Sequence, residues 1–177
     1  MNNLNYIAAF AFAEGGSGEG YTPTRYIEMA RTVLGSIDLD PASCRLANQT
    51  VRAIKYYDKQ VDALKQPWHG NIWLNPPYTR GVVSKFVTKF TIEAEAGRVK
   101  SGIILANVQT NARWWHQLLT FCDCACISYR PLKFLSGENG AKFSLVQTQT
   151  FFYYGLNVDL FKETFSTVGT IIRAEVI

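Results

Sequence analysis

The chain has 177 residues, of which 47% are hydrophobic, and its 18 basic and 14 acidic side chains give a net charge of +4. This length suits one domain with a substantial core. No apolar run approaches the roughly 20 residues of a membrane span, so we expect no membrane association. The modest positive charge is compatible with a polyanionic partner but does not identify one.

The first 20 residues lack the charged leader and cleavage pattern of a secretory signal, which favours a cytoplasmic protein. Residues 15–20 are rich in glycine and are typical of a flexible arm. A phosphate-binding loop is the less favoured alternative, because no Lys-Ser or Lys-Thr pair follows. We therefore predict an arm over residues 1–20 and a single domain over residues 21–177.

Helical and extended patterns alternate through the rest of the chain. Thr22-Pro23 combines N-cap and first-turn chemistry, and apolar residues at helical spacing follow until Gly35. Helices are predicted at about 23–34, 83–97, 111–119 and 157–168. Strands are predicted at 37–41, 51–57, 71–74, 101–106, the cysteine segment around 122–126, 142–154 and 170–177. This alternation predicts an α/β fold whose mostly parallel sheet carries ligands at the carboxyl ends of its strands, with a late antiparallel hairpin.

Four cysteines without an export signal are expected to be reduced thiols. Cys122, Cys124 and Cys126 alternate, so on a strand all three would share one face. Core packing is favoured over a zinc site, because zinc prefers Cys-x2-Cys spacings and only His69 and His116 could complete the ligand set. We predict no metal site, and a structural zinc protein is the weakest alternative.

The segment Asn75-Pro76-Pro77-Tyr78 follows the predicted strand 71–74. Two consecutive prolines fix φ at about −65° and remove two backbone donors, so the nearby carbonyls stay outside any strand ladder. The Asn75 amide oxygen and the Pro76 carbonyl can then accept both hydrogens of a planar amine, while the Tyr78 ring offers a stacking face. The segment predicts a site for a nucleobase or an amide; the alternative is an ordinary turn that ends a buried strand.

These motifs resemble the AdoMet-dependent amino-methyltransferases, and more closely the small DNA adenine methyltransferases of phages and prophages. The similarity runs through Tyr21-Thr22-Pro23, residues 37–43, Trp68 and residues 75–78, and more weakly through residues 130–134 and 151–155. It implies a Rossmann-like methyltransferase sheet, S-adenosylmethionine (AdoMet) as cofactor and DNA as substrate. It further implies methyl transfer to the exocyclic amine of a flipped adenine.

Two alternatives remain beside this resemblance. RNA and protein-glutamine methyltransferases share the Asn-Pro-Pro-Tyr element, so either activity is the closest alternative. Residues 41–44 read Pro-Ala-Ser-Cys where many methyltransferases have a glycine-rich turn. That departure motivates an alternative of another class, a non-catalytic DNA-binding protein on a degenerate methyltransferase fold.

The resemblance also assigns roles to residues. The catalytic residues are expected to be Asn75, Pro76, Pro77 and Tyr78. The cofactor pocket is expected to contain Tyr21, Thr22, Pro23, Asp38, Asp40, Pro41, Ala42, Ser43, Asp58, Asp62 and Asn75. Asp40 suits the cofactor ammonium, with Asp38 as second choice, and the helix start at Thr22-Pro23 offers N–H groups to its carboxylate. Asp58 or Asp62 is expected to bind the ribose hydroxyls or the adenine amine of the cofactor, and the alternative is that both are simple solvated carboxylates. For Asp40 and Asp38 the alternative is a carboxylate that caps a turn.

DNA contacts are expected from basic residues near the catalytic loop. The candidates for phosphate contacts are Arg80, Lys85, Arg113, Arg130, Lys133 and Lys142. Trp114 or Trp115 is a candidate for stacking on a base, and one of the pair is expected in the core. Sequence recognition would rest on the short loops 79–82, 107–113 and 135–142, while the recognition sequence and the oligomeric state stay open.

Overall fold

The structure is a computed structural model, and it describes residues 20–79, 81–136, 142–144 and 147–173. Residues 1–19 of the predicted arm therefore lie outside the described residues. The helices are α1 (Thr24–Leu34), α2 (Arg45–Val51), α3 (Val82–Glu95), α4 (Arg113–Phe121) and α5 (Val158–Phe165). The strands are β1 (Gly20–Tyr21), β2 (Leu39–Asp40), β3 (Lys55–Tyr56), β4 (Gly70–Leu74), β5 (Val99–Asn107), β6 (Cys124–Ser128), β7 (Lys133–Ser136), β8 (Lys142–Ser144), β9 (Gln149–Tyr154) and β10 (Gly169–Ile172). A 3₁₀ helix (Ala63–Lys65) precedes β4.

Seven of these strands form one mixed sheet in the order β10-β6-β9-β5-β4-β2-β3. The strands β3, β2, β4 and β5 are parallel to one another. Strand β9 lies between β5 and β6 and is antiparallel to both, and β10 is antiparallel to β6. The α/β class predicted from the alternating pattern is confirmed.

A second, three-stranded sheet has the order β1-β7-β8. Tyr21 of β1 pairs with Leu135 of β7, and β7 in turn pairs with β8. Both pairings are antiparallel. This sheet holds the entry to α1 against the segment that follows β6.

Hydrophobic side chains on the two faces of the large sheet form separate core clusters. On β4, Ile72 and Leu74 contribute to one cluster and Trp73 to the other, as strand alternation requires. Helices α3 and α4 cover the first face, and α1 and α5 cover the second. The sheet therefore lies between two helical layers, which leaves its strand ends as the place for a ligand.

Helix α1 lies where the sequence predicts it, with Ile27, Ala30 and Val33 buried and Gly35 ending it at φ 78°. Its N-cap residue is Pro23, and no side chain caps it. The prediction of N-cap chemistry for Thr22 is therefore wrong. The Thr22 hydroxyl instead accepts a hydrogen bond from Asn75.

The segment 45–57 differs from its prediction because α2 occupies its first half. The Cys44 sulfur accepts the Ala47 amide at 3.4 Å and so begins the helix. Arg52, in the left-handed region at φ 50°, ends it. The Asn48 side chain then bonds the backbone of Ala53 through both of its polar atoms. The predicted strand over 51–57 is thus reduced to β3.

The cysteine segment also departs from its prediction. Cys122 follows α4 and packs in the first core cluster, whereas Cys124 and Cys126 point into the second. The expectation that all three share one face is wrong, because Cys122 is not part of the strand. All three are buried, and no group of three or more His, Cys, Asp or Glu residues in the described ranges could hold a metal.

Two other predictions need adjustment. Ala112, without a side-chain hydrogen bond, is the N-cap residue of α4 in place of Asn111. The extended stretch 142–154 divides into β8 and β9, which belong to different sheets. None of the helices in the described ranges combines the length and apolarity that a membrane span requires.

Candidate active site at the ends of β2 and β4

Asp40 and Asn75 come together because their strands are parallel neighbours. Leu39 of β2 pairs with Ile72 of β4, so the carboxyl ends of both strands lie at one edge of the sheet. Asp40 is the last residue of β2, and Asn75 directly follows β4. Both side chains are buried, at 3% and 7% exposure.

Two adjoining cavities open at this edge. The first, which we call the Asp40 cavity, is an open cleft lined by Gly20, Tyr21, Thr22, Asp40, Ala42, Ser43, Cys44, Ala47, Val51, Trp73 and Asn75. The second, the Asp58 cavity, is a similar open cleft lined by Pro41, Ala42, Ser43, Tyr57, Asp58, Lys59, Val61, Asp62, Ala63, Leu64, Pro77, Val82 and Phe86. Ala42 and Ser43 belong to both walls, so an extended ligand could occupy both cavities.

The Asp40 carboxyl is the main electrostatic feature of the first cavity. Burial raises its pKa from 3.8 to about 7, and the Ala42 amide that donates to its Oδ1 atom at 3.2 Å offsets only part of this effect. Among the described residues no Lys, Arg or His forms an ion pair with it. A cationic group in the cavity would therefore favour the ionised form of Asp40.

Ser43 offers a second polar group at the junction of the cavities. Its backbone amide donates to the Tyr57 carbonyl at 2.9 Å, which holds the Pro41-Ala42-Ser43 turn against the end of β3. Its hydroxyl lies close to Asp40, is buried, and makes no hydrogen bond of ordinary geometry to the described residues. A buried hydroxyl in that state is suited to a ligand that brings a partner.

The Asn75 carboxamide is held at both of its ends. Its Nδ2 atom donates to the Thr22 hydroxyl at 3.3 Å. Its Oδ1 atom accepts from the Tyr78 hydroxyl at 3.2 Å, and that hydroxyl also lies 2.9 Å from the Leu105 carbonyl. The amide oxygen that the sequence offers to a planar amine is thus occupied by Tyr78 in this structure.

Tyr78 itself is only partly exposed and packs against the first core cluster. Burial raises the pKa of its phenol well above the ordinary range, so the group is a neutral donor. Its ring does not line the Asp40 cavity, and its predicted stacking on a target base stays a prediction. Pro76 and Pro77 are buried, and Pro77 lines the Asp58 cavity.

The four predicted acidic residues have different surroundings. Asp58 lines the second cavity and accepts the Gln60 amide at 2.9 Å on Oδ1. Asp62 lines it as well, caps the 3₁₀ helix and pairs with Lys65 at 3.2 Å. Asp40 forms the wall of the first cavity, as described above.

Asp38 and Pro23 line neither cavity. The Asp38 carboxylate accepts the Asn71 amide at 2.8 Å and the Ser36 hydroxyl at 3.0 Å. It packs so closely on Gly70, at φ 78°, that a Cβ atom there would lie 2.2 Å from Oδ2. Asp38 thus fastens the start of β4, whereas Pro23 begins α1.

Several cavity residues were not predicted from the sequence. Trp73 and Cys44 complete the first cavity, and Tyr57, Val82 and Phe86 contribute to the second. For Trp73 and Phe86 the sequence pattern indicated only that their side chains pack in the core. Tyr57 is the last residue of a predicted strand, and Asp40 lies at the end of another. This shared position is a signal that could have placed Tyr57 at the same edge of the sheet as Asp40.

Two of the predicted DNA-contacting residues follow strands that end at this edge. Strand β6 runs in the same direction as β4 and β5, because β5 and β6 are both antiparallel to β9. Arg113, after β5, and Arg130, after β6, therefore follow strands that end at the edge where Asn75 lies, and both are exposed. Lys133 on β7 and Lys85 on α3 are exposed as well.

The remaining nucleic-acid candidates differ. Trp114 is partly buried against the first core cluster, and Trp115 is the member of the pair that is 3% exposed in the core. Arg80 lies outside the described residues, and the side chain of Lys142 is not described.

A buried carboxylate and an Asn-Pro-Pro-Tyr corner lie at the ends of adjacent parallel strands, which is the edge where α/β proteins of this class bind their ligands. The model of the DNA N-6-adenine-methyltransferase (Dam) family matches residues 19–153, well over half of the chain. The chain belongs to this family, which is one of DNA adenine methyltransferases, and the resemblance seen in the sequence is confirmed. A comparison with curated proteins gives no match.

Proposed function

We propose that this protein transfers the methyl group of AdoMet to the exocyclic amine of adenine in DNA. Family membership gives the reaction class. The observation that carries the proposal is the position of Asn75, which lines the Asp40 cavity while Pro77 of the same corner lines the Asp58 cavity. A target amine at Asn75 would thus lie beside a pocket of suitable shape for the methyl donor.

The residues of both cavities fit AdoMet. Asp40, buried without an ion pair among the described residues, suits the cofactor ammonium, and Ser43 offers its unused hydroxyl beside it. In the Asp58 cavity, Tyr57, Pro77 and Phe86 provide apolar walls for an adenine ring. Asp58 accepts one amide on Oδ1, and a carboxylate has further lone pairs with which to accept the ribose hydroxyls.

This placement follows the general arrangement of Rossmann-like sheets, in which cofactors bind at the carboxyl ends of parallel strands. Here the turn after β2 reads Pro41-Ala42-Ser43 in place of glycines, and it forms the shared wall of both cavities. The two cavities remain open on either side of Ala42. The sequence departure therefore does not argue for a degenerate, non-catalytic protein.

When bound, AdoMet supplies an electrophilic methyl group on a sulfonium, and the chain's task is to align the amine with it. The Asn75 amide oxygen and the Pro76 carbonyl would accept the two amine hydrogens, which turns the nitrogen lone pair toward the cofactor pocket. Tyr78 contacts that amide oxygen in this structure, but the oxygen has a second lone pair for the amine, and the stacking role requires the Tyr78 ring to move. The displaced ring would then stack on the flipped adenine.

The surface around the site supports DNA as the acceptor. Arg113, Arg130, Lys133 and Lys85 are exposed and would contact phosphates. Arg80, Lys142 and Trp114 remain candidates from the sequence, and loops 79–82, 107–113 and 135–142 remain the candidates for reading bases.

Labelled AdoMet, offered with separate DNA, RNA and protein acceptors and followed by nucleoside analysis, tests the proposal. We expect label in N6-methyladenine from DNA, and a strongly reduced but measurable amount of it with Asn75→Ala. Label confined to RNA or protein would replace the proposal with the corresponding methylase. No detectable AdoMet binding by calorimetry, together with retained DNA binding, would favour a non-catalytic protein.

A further inference from the structure

The hydroxyl of Thr22 lies beside the start of α1 but does not cap this helix. Thr22 is 7% exposed, and α1 has Pro23 as its N-cap residue without any side-chain cap. The hydroxyl accepts the Nδ2 hydrogen bond of Asn75 at 3.3 Å, across 53 positions of sequence. The contact joins two buried side chains at the wall of the Asp40 cavity.

The orientation of the Asn75 carboxamide decides whether it can receive a target amine. Its oxygen accepts hydrogen bonds and its nitrogen donates them, and the two ends have nearly the same shape. A rotation by about 180° would set the NH₂ group against the amine, so that two donors meet and neither finds an acceptor. Something must therefore hold the nitrogen end away from the acceptor site.

Tyr78 and Thr22 both fix this orientation in the structure, but they are not equivalent. Tyr78 contacts Oδ1 with a hydroxyl that also lies 2.9 Å from the Leu105 carbonyl, and the proposed stacking on the flipped adenine takes its ring away from this position. Thr22 contacts the opposite end and can keep its hydrogen bond throughout. After Tyr78 has moved, Thr22 is the partner that still distinguishes the two ends of the carboxamide.

The backbone around Thr22 holds its hydroxyl in place. Tyr21, one residue earlier, pairs with Leu135 in the three-stranded sheet, and α1 begins two residues later. A side chain between a paired strand and a helix has little freedom to follow a rotating amide. The acceptor is therefore preorganised before any substrate arrives.

We propose that Thr22 is a positioning residue for methyl transfer: it accepts the Asn75 Nδ2 hydrogen bond and so keeps Oδ1 facing the target amine. This inference rests on the proposed function. It is distinct from the expected role of the Thr22-Pro23 segment in holding the cofactor carboxylate, because it acts through Asn75.

Four variants separate the two roles. Thr22→Val keeps the shape and removes the acceptor, and Thr22→Cys retains only a weak acceptor, whereas Thr22→Ser keeps the hydroxyl. Asn75→Ala is combined with Thr22→Val to complete a double-mutant cycle. Single-turnover methylation of adenine in a DNA duplex is measured at saturating AdoMet and DNA, and the AdoMet Kd is measured by calorimetry.

We expect the single-turnover rate of Thr22→Val and Thr22→Cys to fall about 30-fold, on the scale of losing one positioned catalytic contact, with the AdoMet Kd within about threefold of the wild type. Thr22→Ser should restore most of the rate. In the Asn75→Ala background Thr22→Val should cost nothing further, since the group that it orients is gone. A thermal melt establishes that each variant folds. If Thr22→Val does not fold, the rates of Thr22→Cys and Thr22→Ser are compared instead.

A weaker AdoMet Kd with an unchanged rate at saturation would overturn the inference, because Thr22 would then only bind cofactor. Equal losses in Thr22→Ser and Thr22→Cys would overturn it as well, and so would additive losses in the double variant. These outcomes differ from failure of the proposed function, in which the wild-type protein itself leaves DNA adenine unmethylated.

Discussion

Two buried carboxylates, one in the candidate active site and one outside it, differ in their surroundings. Glu93 on α3 is 4% exposed and pairs with both Lys89 and Arg98, and these partners hold its pKa below the ordinary value although burial opposes them. Asp40 is 3% exposed and has no such partner among the described residues, so burial raises its pKa. The pKa values of the two carboxylates thus shift in opposite directions.

The different surroundings of the two carboxylates indicate that one of them stabilises the fold and the other does not. The interactions of Glu93 are complete within the protein, so it fastens α3 to the turn before β5 and needs no ligand. The burial of Asp40 has no compensating cation in the described protein. A polar group left in that state is better explained by a ligand than by stability.

The largest expected effect concerns Asp40→Asn. With the charge removed and the shape kept, we expect the AdoMet Kd to rise about 100-fold, since the cofactor ammonium would lie in a buried site without its counter-charge. The free energy of unfolding should stay the same or increase, because a buried, unpaired carboxyl is lost. Calorimetry and urea unfolding measure the two quantities.

Asp38→Asn is the matched control, because Asp38 lies two residues earlier and lines neither cavity. It should leave the AdoMet Kd within about twofold while lowering the free energy of unfolding by about 1 kcal/mol through the weakened Asn71 contact. A larger loss of affinity in Asp38→Asn than in Asp40→Asn would reverse the assignment of the two carboxylates.

For Glu93→Gln we expect the reverse of the Asp40→Asn result, a loss of stability without a change in cofactor affinity. We expect the free energy of unfolding to fall by about 2 kcal/mol, less than for a fully buried ion pair because Arg98 is 41% exposed. The AdoMet Kd should not change.

The contribution of Glu93 to the free energy of unfolding should depend on pH. Since the pKa of Glu93 is depressed, this contribution is present at neutral pH and is lost as the pH falls below about 4.5, where the free energies of unfolding of the variant and the wild type should converge. A constant difference down to pH 3 would contradict the ion-pair account.

The pH dependence of cofactor binding follows from the raised pKa of Asp40. In the free protein this carboxyl titrates at about 7, and a bound ammonium would lower its pKa, so binding releases a proton below pH 7. AdoMet affinity should therefore fall as the pH decreases from 7 to 5.5, by up to about tenfold per unit, and level off just above 7. Titrations across this range in Asp40→Asn should show no such slope; a slope that survives the substitution would assign it to another group.

The sequence predicted the Asn75 corner and the carboxylate at the end of β2, because a motif and a strand end are local signals. It also placed most of α1, α3 and β5 within a few residues. It did not reveal α2, since a cysteine cap and a left-handed arginine carry no strong propensity. Nor could it reveal the contacts of Thr22 and Tyr78 with Asn75, which depend on tertiary packing.

The smallest expected effect concerns Tyr78→Phe, which removes the hydroxyl from Asn75 Oδ1 and keeps the stacking ring. The free energy of unfolding should fall by about 1 kcal/mol through the lost hydrogen bonds. The kcat/KM for DNA should remain within about threefold of the wild type, because movement of the ring costs less while base stacking is retained. Steady-state kinetics with Tyr78→Ala as the comparison would decide the point, since this variant should lose more than about tenfold through missing stacking. If phenylalanine were as damaging as alanine, the hydroxyl would have a role in the reaction itself, and the contact with Asn75 would not be one that substrate binding displaces.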